Sequence, residues 1–81
     1  MREFEDAEGS VWVASAREEQ TPRHHTRWYL VFQARNQEPQ LALPEIRWQT
    51  LETAERTLAT MSLFELRRRL NTARRRSGAG V

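Results

Sequence analysis

Residues Thr50 to Arg76 read TLETAERTLATMSLFELRRRLNTARRR, and the spacing of their apolar positions decides the fold. Leu51, Ala54, Leu58 and Met61 recur at three- and four-residue steps, the period of one helical face. Thr50 stands where an N-cap acceptor is wanted, and Glu52 falls in the first turn. Leu63, Leu66, Leu70 and Ala73 repeat the pattern, and Ser62 followed by Glu65 has the form of a capping box. At about 100° per residue the second apolar arc is rotated by roughly 130° from the first, too far for one straight amphipathic helix. The spacing therefore predicts two helices with a break near Thr60 to Ser62.

Upstream of Thr50 the period is two. Arg27 to Gln33 is aromatic and β-branched and apolar on both faces, as a central strand is. Ser10 to Ala16 reads as a second strand. It is preceded by Asp6-Ala7-Glu8-Gly9, with Asp at the first and Gly at the fourth position of a type I turn, which pairs Phe4 near Val11 or Trp12. Arg17 to Thr26 is polar and contains Pro22, the composition of a loop. After a turn over Arg35 to Pro39, Gln40 to Pro44 alternates once more, and Pro44 is expected to stop it.

The order β-β-β-β-α-α predicts an α+β fold, a small antiparallel sheet of three to four strands followed by two C-terminal helices packed on one face. Residues 1–76 form one domain in this reading, and 77–81 a flexible small-residue tail. Trp28, Leu30 and Phe32 share one face of the central strand. They are assigned to the helix side, with Leu41, Leu43, Leu58, Met61, Leu66 and Leu70 against them. Tyr29, Val31 and Trp12 are then expected on a sheet face that no helix is left to cover, an aromatic patch suited to a protein interface.

Composition removes whole classes of function. The 81-residue chain has no Cys, which excludes disulfide frameworks, thiol nucleophiles and cysteine metal sites. Its longest apolar run, Trp28 to Phe32, is far short of the roughly 20 residues that span a bilayer. The opening Met1-Arg2-Glu3-Phe4-Glu5-Asp6 has no apolar signal region, so a cytoplasmic location is expected. Every cation is Arg and none is Lys, a bias that a GC-rich bacterial-type genome produces by mutation alone.

Charge is distributed unevenly. Residues 1–20 carry a net −4, and residues 67–81 a net +6 supplied by Arg67, Arg68, Arg69, Arg74, Arg75 and Arg76. On a helix these six occupy one broad arc of about 220° away from Leu66, Leu70 and Ala73. That is more cation than a helix C-terminal dipole calls for, so the ridge is expected to meet an anionic partner.

Catalysis has no comparable signal. His24 and His25 are adjacent in a polar loop, where two imidazoles do not converge on one ion. The serines stand in no nucleophile elbow, and no glycine lies between a strand and a helix to cradle phosphate. No catalytic residue, cofactor, metal or small-molecule substrate is expected. The reading is a non-catalytic adaptor or regulatory module that binds a protein partner, or a second copy of itself, through the open sheet face and the Arg-rich helix. The alternative is a nucleic-acid-binding protein whose Arg-rich helix contacts phosphates.

Overall fold

The computed structural model describes residues 1–19, 27–35 and 40–76. The His24–His25 pair, most of the turn before Gln40 and the tail from Ser77 lie outside the described residues. Four strands, β1 (Arg2–Glu5), β2 (Val11–Glu19), β3 (Arg27–Ala34) and β4 (Leu41–Trp48), precede two helices, α1 (Leu51–Thr60) and α2 (Leu63–Arg74). The strands form one antiparallel meander in the order β1-β2-β3-β4. This is the expected ββββαα architecture.

The first turn shows why the hairpin closes where it does. Gly9 N–H donates to the Asp6 carbonyl, and Gly9 adopts φ +88°, a conformation that penalises side chains. The Asp6 carboxylate holds the loop from inside, with Oδ1 accepting from the Glu8 and Ser10 amides at 2.9 Å each. Register follows: Phe4 pairs with Trp12, Trp12 with Ala34, Ala14 with Phe32, and Phe32 with Leu41. Paired residues share a face, so Phe4, Trp12, Ala14, Leu30, Phe32, Leu41 and Leu43 all point to the same side. There they meet Leu58, Leu66, Leu70 and Ala73 from the helices in one core. Phe4 and Phe32 meet edge to face at 5.9 Å, reaching across the small Ala14 between them.

Both helix starts are capped as the sequence predicts. Thr50 Oγ1 accepts from Thr53 N and Ser62 Oγ from Glu65 N, at 3.1 Å each. Met61, with ψ 136°, is the extended residue that separates the two helices. The end of α1 lacks a basic residue of its own, and Arg2 supplies one from β1. Its guanidinium donates to the carbonyls of Leu58, Ala59 and Met61 at 3.0–3.2 Å, and of these, among the described residues, Leu58 alone also accepts from a backbone donor, the Met61 N–H.

Two boundaries differ from the sequence reading. β2 runs on to Glu19, because Arg17, Glu18 and Glu19 continue the ladder opposite Tyr29, Trp28 and Arg27. A central strand offers backbone partners whatever the side chains opposite. β4 continues through Pro44 to Trp48, because β4 is an edge strand, where a missing N–H is tolerated. The cost is an irregular register: neighbouring Tyr29 and Leu30 pair with Arg47 and Leu43, so Pro44, Glu45 and Ile46 bulge out of the ladder. Arg47 Nε closes that bulge on the Pro44 carbonyl at 2.7 Å.

Candidate interaction site

Trp12 departs from the expectation most clearly. It is 8% exposed and lies on the helix side, not with Tyr29 and Val31. The turn length decides this, since pairing Phe4 with Trp12 forces the two onto one face. Tyr29 and Val31 do lie on the side away from α1 and α2, where register places Tyr29 between Arg17 and Arg47. Val31, at 3% exposed, is already shielded, so Tyr29, itself half-buried, is the only aromatic among the described residues of that face. An interface there has little apolar surface left to bury.

Trp12 instead belongs to a buried polar cluster. Asp6, 4% exposed, accepts on Oδ2 from the indole Nε1 of Trp12 and from Arg74 Nη2, each at 3.0 Å. The Arg74 guanidinium also lies over the Trp12 ring, 4.9 Å from its centroid. Burial pushes the Asp6 carboxyl up, but donation from the Ser10 amide, Trp12 indole, Glu8 amide and Arg74 outweighs it and holds the group below its ordinary value. Arg67 makes the neighbouring link, donating to the carbonyls of Glu5 at 2.9 Å and Asp6 at 3.4 Å. The acidic opening of the chain thus folds onto the basic helix.

This contact takes up much of the cationic ridge. Arg68 and Arg69 both bind Glu65, at 3.3 and 2.7 Å. Burial raises the Glu65 carboxyl, and those two arginines more than offset it, so it too titrates below the ordinary range. Arg76 pairs with Glu45 at 2.6 Å. Among the described residues the Arg75 guanidinium has no ion-pair or hydrogen-bond partner, its backbone N–H donating to the Asn71 and Thr72 carbonyls. The six arginines therefore do not form one uniform ridge, and Arg67 and Arg74 turn toward the β1–β2 turn.

What α2 presents to solvent is narrower and partly apolar. Phe64, Arg68, Asn71 and Arg75 fall within about 60° of one another on a helix and all are exposed. Phe64 is 76% exposed although the same helix buries Leu66, Leu70 and Ala73. Leu63, 41% exposed, borders a groove of about 410 Å³ that crosses from Val11 past the outer edge of β1 to Arg67. Phe64 was legible, since it lies about 160° around the helix from Leu66. Asp6 reads only as a turn residue until Arg74 is brought beside it.

Among the described residues no group of three or more His, Cys, Asp or Glu side chains is placed to hold a metal ion, and no helix is long and apolar enough to cross a membrane. No known protein family, curated protein or solved structure matches the chain.

Proposed function

We propose that this chain is a small non-catalytic interaction module, an adaptor or regulatory protein, that docks a protein partner on the side formed by β1 and the start of α2. The observation that carries this reading is Phe64, a large aromatic held 76% exposed beside exposed Leu63 and a groove, on a helix that buries Leu66 and Leu70. Exposed Arg68 and Arg75 on the same stripe give the rim a positive charge. Tyr29 and the uncovered sheet face contribute less to this reading, because Trp12 and Val31 are already buried.

The stripe of Phe64, Arg68 and Arg75 also favours the second reading, in which the aromatic stacks on a base and the cations meet phosphates. Two phosphate contacts give a salt dependence with a slope of only about −1.4 to −1.8 on a log–log plot. The protein-partner reading comes first because Arg67, Arg69, Arg74 and Arg76 are engaged within the fold and Arg68 shares Glu65 with Arg69.

Capture of partners on tagged protein, with and without nuclease, tests the choice. A protein that survives nuclease, is retained by Arg75→Gln and is lost with Phe64→Asp supports the module. Capture abolished by nuclease, with the shallow salt slope above, assigns the stripe to nucleic acid.

A further inference from the structure

Resting on the reading of the chain as a protein-binding module, we infer that the partner supplies an extended segment that adds to the free edge of β1 as a fifth strand, with basic side chains opposite Glu3 and Glu5 and apolar ones toward Leu63. The phase of the ladder says which backbone groups are on offer. Asp6 N–H donates to the Ser10 carbonyl and Arg35 N–H to the Val11 carbonyl, so even-numbered residues of β1 face β2 and odd-numbered ones face outward. Glu3 thus presents both its N–H and its carbonyl at the edge, and Glu5 its N–H. The Glu5 carbonyl is held by Arg67. Among the described residues no strand lies beyond β1.

The other edge is closed to such an addition. β4 carries Pro44, which has no N–H, and the bulge of Pro44, Glu45 and Ile46 breaks its run of evenly spaced groups. At β1 the edge is regular and adjoins the groove walled by Phe4, Leu63 and Arg67. An added strand alternates like any other, with one set of side chains on the helix side, against Leu63, and the other on the face of Glu3, Glu5 and Val11.

Charge selects the occupant. A second copy pairing edge to edge about a two-fold axis sets Glu3 and Glu5 of one chain opposite those of the other, a repulsive arrangement. A segment alternating basic and apolar residues meets both carboxylates favourably. Glu3 is available to it, since its contact with Arg35 is 3.7 Å long with both side chains more than half exposed.

The test uses the full chain labelled with ¹⁵N and two capped octapeptides, one alternating lysine and valine and one alternating glutamate and valine. The lysine peptide is expected to slow hydrogen exchange of the Glu3 and Glu5 amides about tenfold or more. The double variant Glu3→Lys with Glu5→Lys should weaken that peptide by about tenfold and favour the glutamate peptide instead. Glu5→Pro, which removes only an outward N–H, should abolish binding, and the exposed charge-reversed pair keeps the test sound should the proline perturb the strand. Shifts confined to the Phe64 stripe or to β4, equal binding of the two peptides, or no binding at about 1 mM peptide each overturn the fifth strand. The module reading fails separately, on partner capture by the wild type and Phe64→Asp.

Discussion

Replacing Asp6 with Asn removes one charge and changes no shape, which makes it the sharpest probe of the buried cluster. The amide oxygen can keep the Glu8 and Ser10 donors, but its nitrogen then stands where Oδ2 accepted from Trp12 Nε1 and Arg74. Donors face donors in a site only 4% exposed. Losing the charged hydrogen bond to Arg74 costs about 1.5–3 kcal/mol, and an unsatisfied indole N–H about 1–3 kcal/mol. The sum, about 2.5–6 kcal/mol, spans the roughly 3–5 kcal/mol that breaking a buried pair costs elsewhere. A chain of 81 residues has only about 4–12 kcal/mol in total, so Asp6→Asn should be marginally folded. Thermal and urea unfolding followed by tryptophan fluorescence measure this, with each kcal/mol worth about 4–8 °C. In a Trp12→Phe background the indole donor is gone and the penalty should shrink by about 1 kcal/mol or more. A loss below about 1 kcal/mol, or equal losses in both backgrounds, would refute the cluster as a source of stability.

Three further outcomes follow from the same geometry. Because the Asp6 carboxyl is depressed in the folded chain, its contribution to stability is fully present above the unfolded value of about 3.9 and is lost as pH falls through the lower folded value; acid titration of the wild type should show this extra lability and Asp6→Asn should lack it. Arg68→Gln with Arg75→Gln should change stability by less than about 0.5 kcal/mol, since both are exposed, whereas Arg74→Gln should lose about 2–3 kcal/mol with its bond to buried Asp6; urea midpoints at equal slope separate the two cases. Arg2→Ala should lose about 1 kcal/mol and speed amide exchange in the last turn of α1, where it removes the cation from three carbonyls; unchanged exchange there would contradict the capping role.

The architecture was legible because its signals are local. Thr50 and Ser62 announce helix starts by residue type, the rotated apolar arc announces the break, and the doubly apolar Trp28 to Phe32 run announces a central strand. What the sequence hides is set by distant partners. Trp12 looks available for an outer face until the turn at Gly9 fixes its parity with Phe4. The arginines of α2 look alike in sequence, yet Arg67 and Arg74 reach the β1–β2 turn while Arg75 stays in water, a difference set by where the turn docks. Pro44 looks like a stop because its rule is stated for central strands, and β4 is not one.

The bond between Asp6 and Arg74 joins residues 68 apart in the chain, and that separation becomes a delay during synthesis. At about 5–20 residues per second a ribosome adds Arg74 about 3–14 s after Asp6, whereas a hairpin closes in about 1–10 μs. Throughout that interval the Asp6 carboxylate has the turn amides and the Trp12 indole within reach but no guanidinium, so water completes its second oxygen and the Trp12 ring lacks its cationic cover. A nascent chain stalled before Arg74 therefore keeps this carboxylate and this ring wet until the final turn of α2 arrives to dry them.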